Sequence, residues 1–437
     1  MSDQDVDPNK FNELRSNYKY YIDLYTALYQ LKTEKEEDLN SIYKKIKTEL
    51  IDSKKRLPAN IIEDILNIIP YNNRYTKSYL TLSKMISDEY HVEEVDRFSN
   101  ISIFLFYKEY GIKLNRNFDT KMYFNIQTEN TIYSAIMNND LERFISFTEI
   151  EGFDKDRRLH NDLYPEPFKV YSLLELCCYH GAVDCFKFLR TKFNSEITQT
   201  CLQFSFLGGN PEIMSECLKY QKPNEKCMEY AIISHNIDFV TFLMNEYNIE
   251  IDVIDCVNYN NLESLLVYFD QTNDFNKCFV YSICFNIPSL LEYFLSLGAN
   301  INQIDEFGNI ALQNAVHFDI KEMTEFLISH GANINEKNNN GETALHIAAC
   351  KNYKEIIEVL ISHGANINEK DEFGETALHI AATYDNKEIA EVLISHGANI
   401  NEKDELGRTA LHRAANNDSK ETAEVLISHG AKNDIPS

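Results

Sequence analysis

The sequence lacks the features that would send a chain into or across a membrane. Its opening, MSDQDVDPNKF, has no positive and then apolar stretch, and the longest apolar run nearby, ISIFLFY from Ile101, falls well short of the ~20 residues a membrane helix needs. No membrane partner is expected, and the expected compartment is the cytoplasm, with the nucleus compatible as well. Clusters of Lys and Arg are also missing, and the formal net charge is −26. A surface of that sign repels phosphate backbones, so nucleic acid is not an expected partner. No CxxC or other ligand spacing occurs among the ten cysteines, nine of which fall between Cys177 and Cys284 within apolar, helix-like patterns. They read as small core residues of a reducing compartment. Nor is there a P-loop, a G-x-G-x-x-G, an H-E-x-x-H or a G-x-S-x-G. No catalytic residue, cofactor or resident metal is expected, and the chain reads as a non-enzyme.

What is present is a period. HGANINEKNNNGETALHIAA begins at His330, HGANINEKDEFGETALHIAA at His363 and HGANINEKDELGRTALHRAA at His396. Gly308, Gly341, Gly374 and Gly407 are spaced by 33 residues, as are Gly331, Gly364, Gly397 and Gly430. Thr343, Thr376 and Thr409 precede a short apolar run and are placed to cap a helix by accepting a main-chain N–H. A polar turn follows, and then KEIIEVLISHG or KEIAEVLISHG, apolar on one side at helical spacing until Gly364 or Gly397 ends it. Alternating Ile and polar residues in ANINEKDEFGE suit a short β-hairpin. One unit is thus hairpin, helix, turn, helix.

The period and the G-x-T-A-L-H-x-A-A words resemble the ankyrin repeat, with Ala344, Ala377 and Ala410 standing where that family's pattern has proline. The fold class expected is all-α: an ankyrin-type helical solenoid with short β-hairpin fingers in the C-terminal repeats, preceded by an N-terminal helical domain. The resemblance implies that His346, His379 and His412 bond the cap and the adjacent loop. A metal role is excluded because equivalent histidines sit a whole repeat apart, roughly 10 Å, whereas Zn–N bonds are about 2 Å. His330, His363, His396 and His429 lie where an imidazole meets the negative end of a helix.

The start of the second helix can be followed upstream. It sits at Glu421, Glu388, Glu355 and Glu322, then Ser289, Glu263, Asp238, Glu212, Asp184 and Glu142, with spacings of 33 four times and then 26, 25, 26, 28 and 42. Three residues earlier stand turn formers such as Asn286, Asn260, Gly209, Gly181 and Asn139, with His235 less typical. Residues 126–300 are therefore expected to hold five or six divergent pairs that have lost their fingers, ahead of four regular repeats at 301–437. EGFDKDRRLHNDLYPEPFKVYS reads as a loop insertion. Residues 1–125 are helical without repetition, Pro58 opening one helix, and read as a separate domain packed on the first divergent pair. With IIPYNNRYTKSYLTLSKMISDEYH and LLELCCYHGAVDCFKFLRTKFNSEIT, the chain resembles a large protist family of ankyrin proteins with an N-terminal domain of unknown function.

Near-identical repeats differ at the finger tips, Asn339 and Asn340, Glu372 and Phe373, Glu405 and Leu406, and after the first helix, at Tyr353, Thr383, Tyr384 and Asn416. In the ankyrin family such positions line a concave binding face. The resemblance thus implies a protein-binding scaffold or adaptor. The alternative is a substrate-recruiting subunit of a ubiquitin ligase or another regulatory complex, engaged through the N-terminal domain. From Asp305 to Asp434 the chain has 23 Asp and Glu against 11 Lys and Arg. That balance serves solubility, or selects a basic partner. The last repeat has Arg413 and Thr422 where earlier units have isoleucine, which would make the outer face of a terminal cap more polar.

Overall fold

The computed structural model describes residues 9–432, except 54, 96–99, 116–117, 120, 123, 125, 127–130 and 167. The chain forms two compact units, residues 1–271 and 272–437. Helices dominate both, and among the described residues the only strands, Arg158–His160 and Val170–Ser172, pair antiparallel with Leu159 opposite Tyr171. They close the stretch expected as a loop insertion into a hairpin-like lobe.

The recurring element is a helix, a left-handed residue and a second helix. Residues 1–271 contain the pairs Ile132–Met137 with Leu141–Thr148, Leu173–His180 with Val183–Phe193, and Gln199–Gly208 with Pro211–Leu218. Glu225–Ile233 with Ile237–Tyr247 and Val253–Asn258 with Leu262–Thr272 follow. Residues 272–437 begin with Phe275–Ser282 and Pro288–Ser296 and continue through four regular repeats, from Ala311–His317 with Lys321–Ser329 to Ala410–Asn416 with Lys420–Ser428.

In all ten pairs the residue three places before the tracked start has positive φ, between 50° and 67°: Asn139, Gly181, Gly209, His235, Asn260, Asn286, Asp319, Asn352, Asp385 and Asp418. Glycine reaches that region without a Cβ clash, and Asn or Asp tolerate it through local hydrogen bonds. His235 has neither advantage. Its ring stacks on Tyr29 at 4.2 Å and its Nε2 lies 2.8 Å from the Tyr259 carbonyl, so tertiary contacts hold it there.

The N-terminal helices include Lys19–Tyr29, Pro58–Ile68, which starts at proline as expected, and Thr76–Tyr90. Their bonds among the described residues include several to the fourth and fifth divergent pairs. Gln30 donates to the carbonyls of Ser234 and His235 at 3.1 and 3.0 Å, Tyr21 donates to Asn260 Oδ1 at 3.0 Å, and Arg15 pairs with Glu263 at 2.5 Å. Asn260 also donates to Asp64, which accepts from Tyr25 at 2.6 Å and pairs with Arg56. The turns at 234–235 and 259–261 leave main-chain and amide groups that need partners when buried, and the N-terminal side chains supply them. Buried thiols fill the neighbouring core, with Cys177, Cys178, Cys185, Cys201, Cys217, Cys227 and Cys256 all inside. That is the small-residue role their patterning suggested.

Candidate functional site

In the regular repeats each finger is a tight turn held by one side chain. Asp371 Oδ1 accepts the N–H groups of Phe373 and Glu375 at 2.9 and 2.8 Å, and the Asp371 N–H donates to the Glu375 carbonyl at 2.9 Å. Asp305, Asn338 and Asp404 do the same for their own fingers at 2.8 to 3.0 Å. This corrects the expected β-hairpins: among the described finger residues the sole β pairing is the isolated bridge Ile304–Ile310. The side-chain acceptor closes the turn in so few residues that no ladder has room to form.

Neighbouring fingers are bonded to each other. The Glu372 N–H donates to the Asn340 carbonyl at 3.1 Å, and the Glu405 N–H to the Phe373 carbonyl at 3.0 Å. The approach is close enough that a Cβ on Gly374, whose φ is 73°, would lie 2.8 Å from the Glu405 nitrogen. Fixed in this row, Phe307, Phe373 and Leu406 are 63%, 58% and 69% exposed, with Asn340 at the equivalent position between them. Phe307 was missed in the sequence, although DEFG at 305–308 repeats the DEFG that ends at Gly374.

Of the other candidate contact residues, Asn339, Glu372, Glu405 and Asn416 are exposed, and Tyr384 is 59% exposed. Tyr353 and Thr383 are half-buried, and the Thr383 hydroxyl donates to the His379 carbonyl at 3.0 Å. The Tyr384 phenol is raised above its ordinary value, first by the Cys350 thiol beside it. The structure thus presents the tips and Tyr384, and turns Thr383 inward.

Each TALH histidine does more than the spacing showed. Thr343 occupies the N-cap, its N–H donates to His346 Nδ1 at 3.1 Å, and its hydroxyl lies 2.8 Å from the same nitrogen. The other ring nitrogen, Nε2, lies 3.1 Å from the Glu375 carbonyl in the next repeat. His379 repeats this with Thr376 and with the Arg408 carbonyl, also at 3.1 Å. An Nδ1 that accepts and an Nε2–H that donates define the neutral tautomer, and burial lowers the pKa of both rings to favour it. His412 bonds Thr409 in the same way, but its buried Nε2 has no partner. His330, His363, His396 and His429 place Nδ1 2.8 to 2.9 Å from the carbonyl four residues back, capping the second helix as expected.

Two ladders along the repeats were not read from the sequence. Asn302, Asn335, Asn368 and Asn401 each accept through Oδ1 the N–H of a residue 31 places on, Asn333, Asn366, Asn399 and Lys432, at 2.7 to 2.9 Å. Lys337 reaches the Lys370 carbonyl at 2.8 Å and Glu369 at 2.7 Å, and Lys370 reaches Lys403 and Glu402 likewise. These lysines hold Glu369 and Glu402 below the usual carboxylate range. The repeated word ANINEK contained both signals.

Neither Thr422 nor Arg413 gives the last repeat the more polar outer face expected of a terminal cap. Thr422 is fully buried with no partner for its hydroxyl, so it makes no outer face polar; it fills the site of the buried Ile356 and Ile389. Arg413 lies between fingers, 3.2 Å from Asp404 and paired with Glu375. Burial raises Glu375, whereas Asp404, despite its burial, is held low by the N–H and guanidinium of Arg408. Among the described residues no group of three His, Cys, Asp or Glu could hold a metal ion, and no helix is long and apolar enough to cross a membrane.

No curated protein matches the sequence. Among protein families, the domain of unknown function DUF3447 matches residues 193–268, over the divergent helix pairs, and ankyrin repeats match residues 279–371 and 366–437. The chain carries a DUF3447 domain followed by ankyrin repeats, and the regular helix pairs with their finger turns are those repeats.

Proposed function

We propose that this protein is a non-catalytic scaffold or adaptor, and that a protein partner seats on the finger tips and first-helix ends of residues 301–437. Ankyrin repeats suggest a protein-interaction role, and they are typically not catalytic. The observation that carries the placement is the row Phe307, Phe373 and Leu406, apolar and exposed yet fixed in rigid turns. Large apolar side chains held in place before binding lose little entropy on docking, and such anchors carry most interface energy. The acidic balance around them favours a basic partner, mainly through the rate and selectivity of encounter.

The test uses the whole chain as bait in lysate from its native cell, beside a chain carrying Phe373→Lys, Tyr384→Ala and Leu406→Lys. All three side chains are exposed, so folding should be unchanged, as checked by circular dichroism. A partner kept by the parent chain and released by the variant supports the placement; equal retention by both refutes it.

A further inference from the structure

The finger tips carry a pattern beyond their exposure. At the two tip positions the fingers read Glu306–Phe307, Asn339–Asn340, Glu372–Phe373 and Glu405–Leu406, a carboxylate followed by a large apolar side chain in all but the second, which has two amides. All of these residues are exposed. Glu306 pairs with Lys277 at 3.3 Å, whereas Glu372 and Glu405 are in no ion pair among the described residues. Arg408 and Arg413 do not neutralise them, because those guanidinium groups are paired with Asp404 and Glu375. The Glu372 and Glu405 N–H groups bond the preceding finger at 3.1 and 3.0 Å, so the main chain holds the pattern in place.

The spacing of the row selects among shapes of partner. Stacked helices pack about 8–10 Å apart, so successive tips stand about 10 Å apart. An extended peptide returns to one face every ~6.7 Å and again at ~13 Å, and falls out of step with the tips. An α-helix returns to one face after about seven residues, a rise of about 10.5 Å, and stays in step with all of them. An amphipathic helix docked by its apolar stripe is a recurring mode of recognition.

On the reading that a partner seats on these tips, we propose that the partner is a basic amphipathic α-helix lying along the row. Its apolar anchors recur at heptad spacing against Phe307, Phe373 and Leu406, with a polar residue at the slot facing Asn340. Lys or Arg beside two of the anchors meets Glu372 and Glu405. The apolar contacts supply the affinity, and the charge pairs set encounter and register.

The experiment is fluorescence anisotropy of labelled synthetic helices with the full-length chain. The matched peptide carries Leu, Gln, Leu and Leu in successive heptad slots with Lys beside the last two leucines, and is made in both orders because either chain direction suits the row. The control has the same composition with its leucines spread round the helix, which removes the nonspecific attraction of a basic peptide to an acidic protein; circular dichroism checks that both are equally helical. The better matched order should bind at least about tenfold tighter than the control and lose that margin to Phe373→Lys. Glu372→Gln with Glu405→Gln should weaken it severalfold and flatten its salt dependence, more than Glu306→Gln does. Asn340→Leu should tighten a peptide with leucine in every slot and leave the Gln peptide unimproved. Matched and control peptides of equal affinity overturn the helix, and the docking surface itself stands if the lysate partner is still released by its own variant. A matched peptide that binds the Phe373→Lys chain at full strength overturns the placement along with the helix.

Discussion

His379 tests whether the repeats are coupled through their buried imidazoles. In His379→Ala three interactions go together: the Thr376 N–H loses its acceptor at 3.2 Å, the Thr376 hydroxyl its neighbour at 2.9 Å, and the Arg408 carbonyl its donor at 3.1 Å. The ring is 1% exposed, so water does not replace them unless the repeat opens. Leaving a buried main-chain group unpaired costs about 1–3 kcal/mol, and two such groups with the vacated ring volume bring the expected loss to about 3–5 kcal/mol. His412→Ala is the internal control, because it removes the same cap but no bond to a following repeat. It should cost less by about 1–3 kcal/mol, the value of the missing inter-repeat bond. Equilibrium urea unfolding of the full chain, followed by circular dichroism, measures both. Since stability in such arrays is a sum of unit and nearest-neighbour terms, His379→Ala should also broaden or split the transition. If His412→Ala destabilises as much as His379→Ala, the inter-repeat bond is not the reason for the histidine, and the coupling argument is wrong.

Three further outcomes are expected. Thr422→Val removes a buried, unpartnered hydroxyl at constant shape and should stabilise the array by about 1 kcal/mol, read as a rise in the urea midpoint at constant slope; a lower midpoint would contradict the burial argument. Gly374→Ala should cost more than Gly364→Ala by thermal unfolding, because both glycines have positive φ but only the Gly374 Cβ would strike the next finger; equal losses would mean that the finger spacing is compliant. Burial lowers His180 to about 3 and His235 to about 4 and pushes Asp255 up to about 7. The two histidines bind a proton more readily when unfolded, so the stability they contribute is present above about pH 6.5 and is lost as pH falls; Asp255 acts in the opposite sense over about pH 4–7. Two protons against one leave a net uptake of one on unfolding, so these three groups together should lower stability by about 1.4 kcal/mol per pH unit as pH falls from about 6 to 4.5; replacing both histidines with Phe should make a urea-midpoint-against-pH series fall less steeply on acidification, and an unchanged slope would refute the assignment.

The helix pairs were legible because a left-handed turn admits few residue types and because the residue three places on starts a helix. That pairing survived at Asn139 and Gly181, where nothing else of the 33-residue word remains. Even His235, the least typical, obeys it. The exposed tips of the candidate site were legible in part, since repeats that agree almost everywhere differ there. Phe307 was not legible because its repeat departs elsewhere from the common word. Packing across long sequence separations was not legible. Nothing in the spelling of Tyr21 or Asp64 points to Asn260, and nothing local distinguishes a Thr422 that faces inward from one that faces water. The fingers misled for a related reason: alternation in ANINEKDEFGE is a strand pattern, but one aspartate oxygen accepting two N–H groups closes the turn before a strand can form.

The bonds between repeats have a consequence for how such a chain can change length. Each of the two middle units offers an asparagine oxygen, a lysine and a histidine N–H forward, and presents to the unit behind it the N–H and carbonyls such groups require. Donors and acceptors therefore balance for any whole number of such middle units, and an in-register 33-residue copy or loss of one of them should leave no new buried group unpaired in the middle of the array. Only the end carries the deficit, at His412 Nε2. A gene that gains or loses a repeat by unequal exchange thus moves among folded proteins of different reach, and each step adds or removes one tip in the row that begins with Phe307.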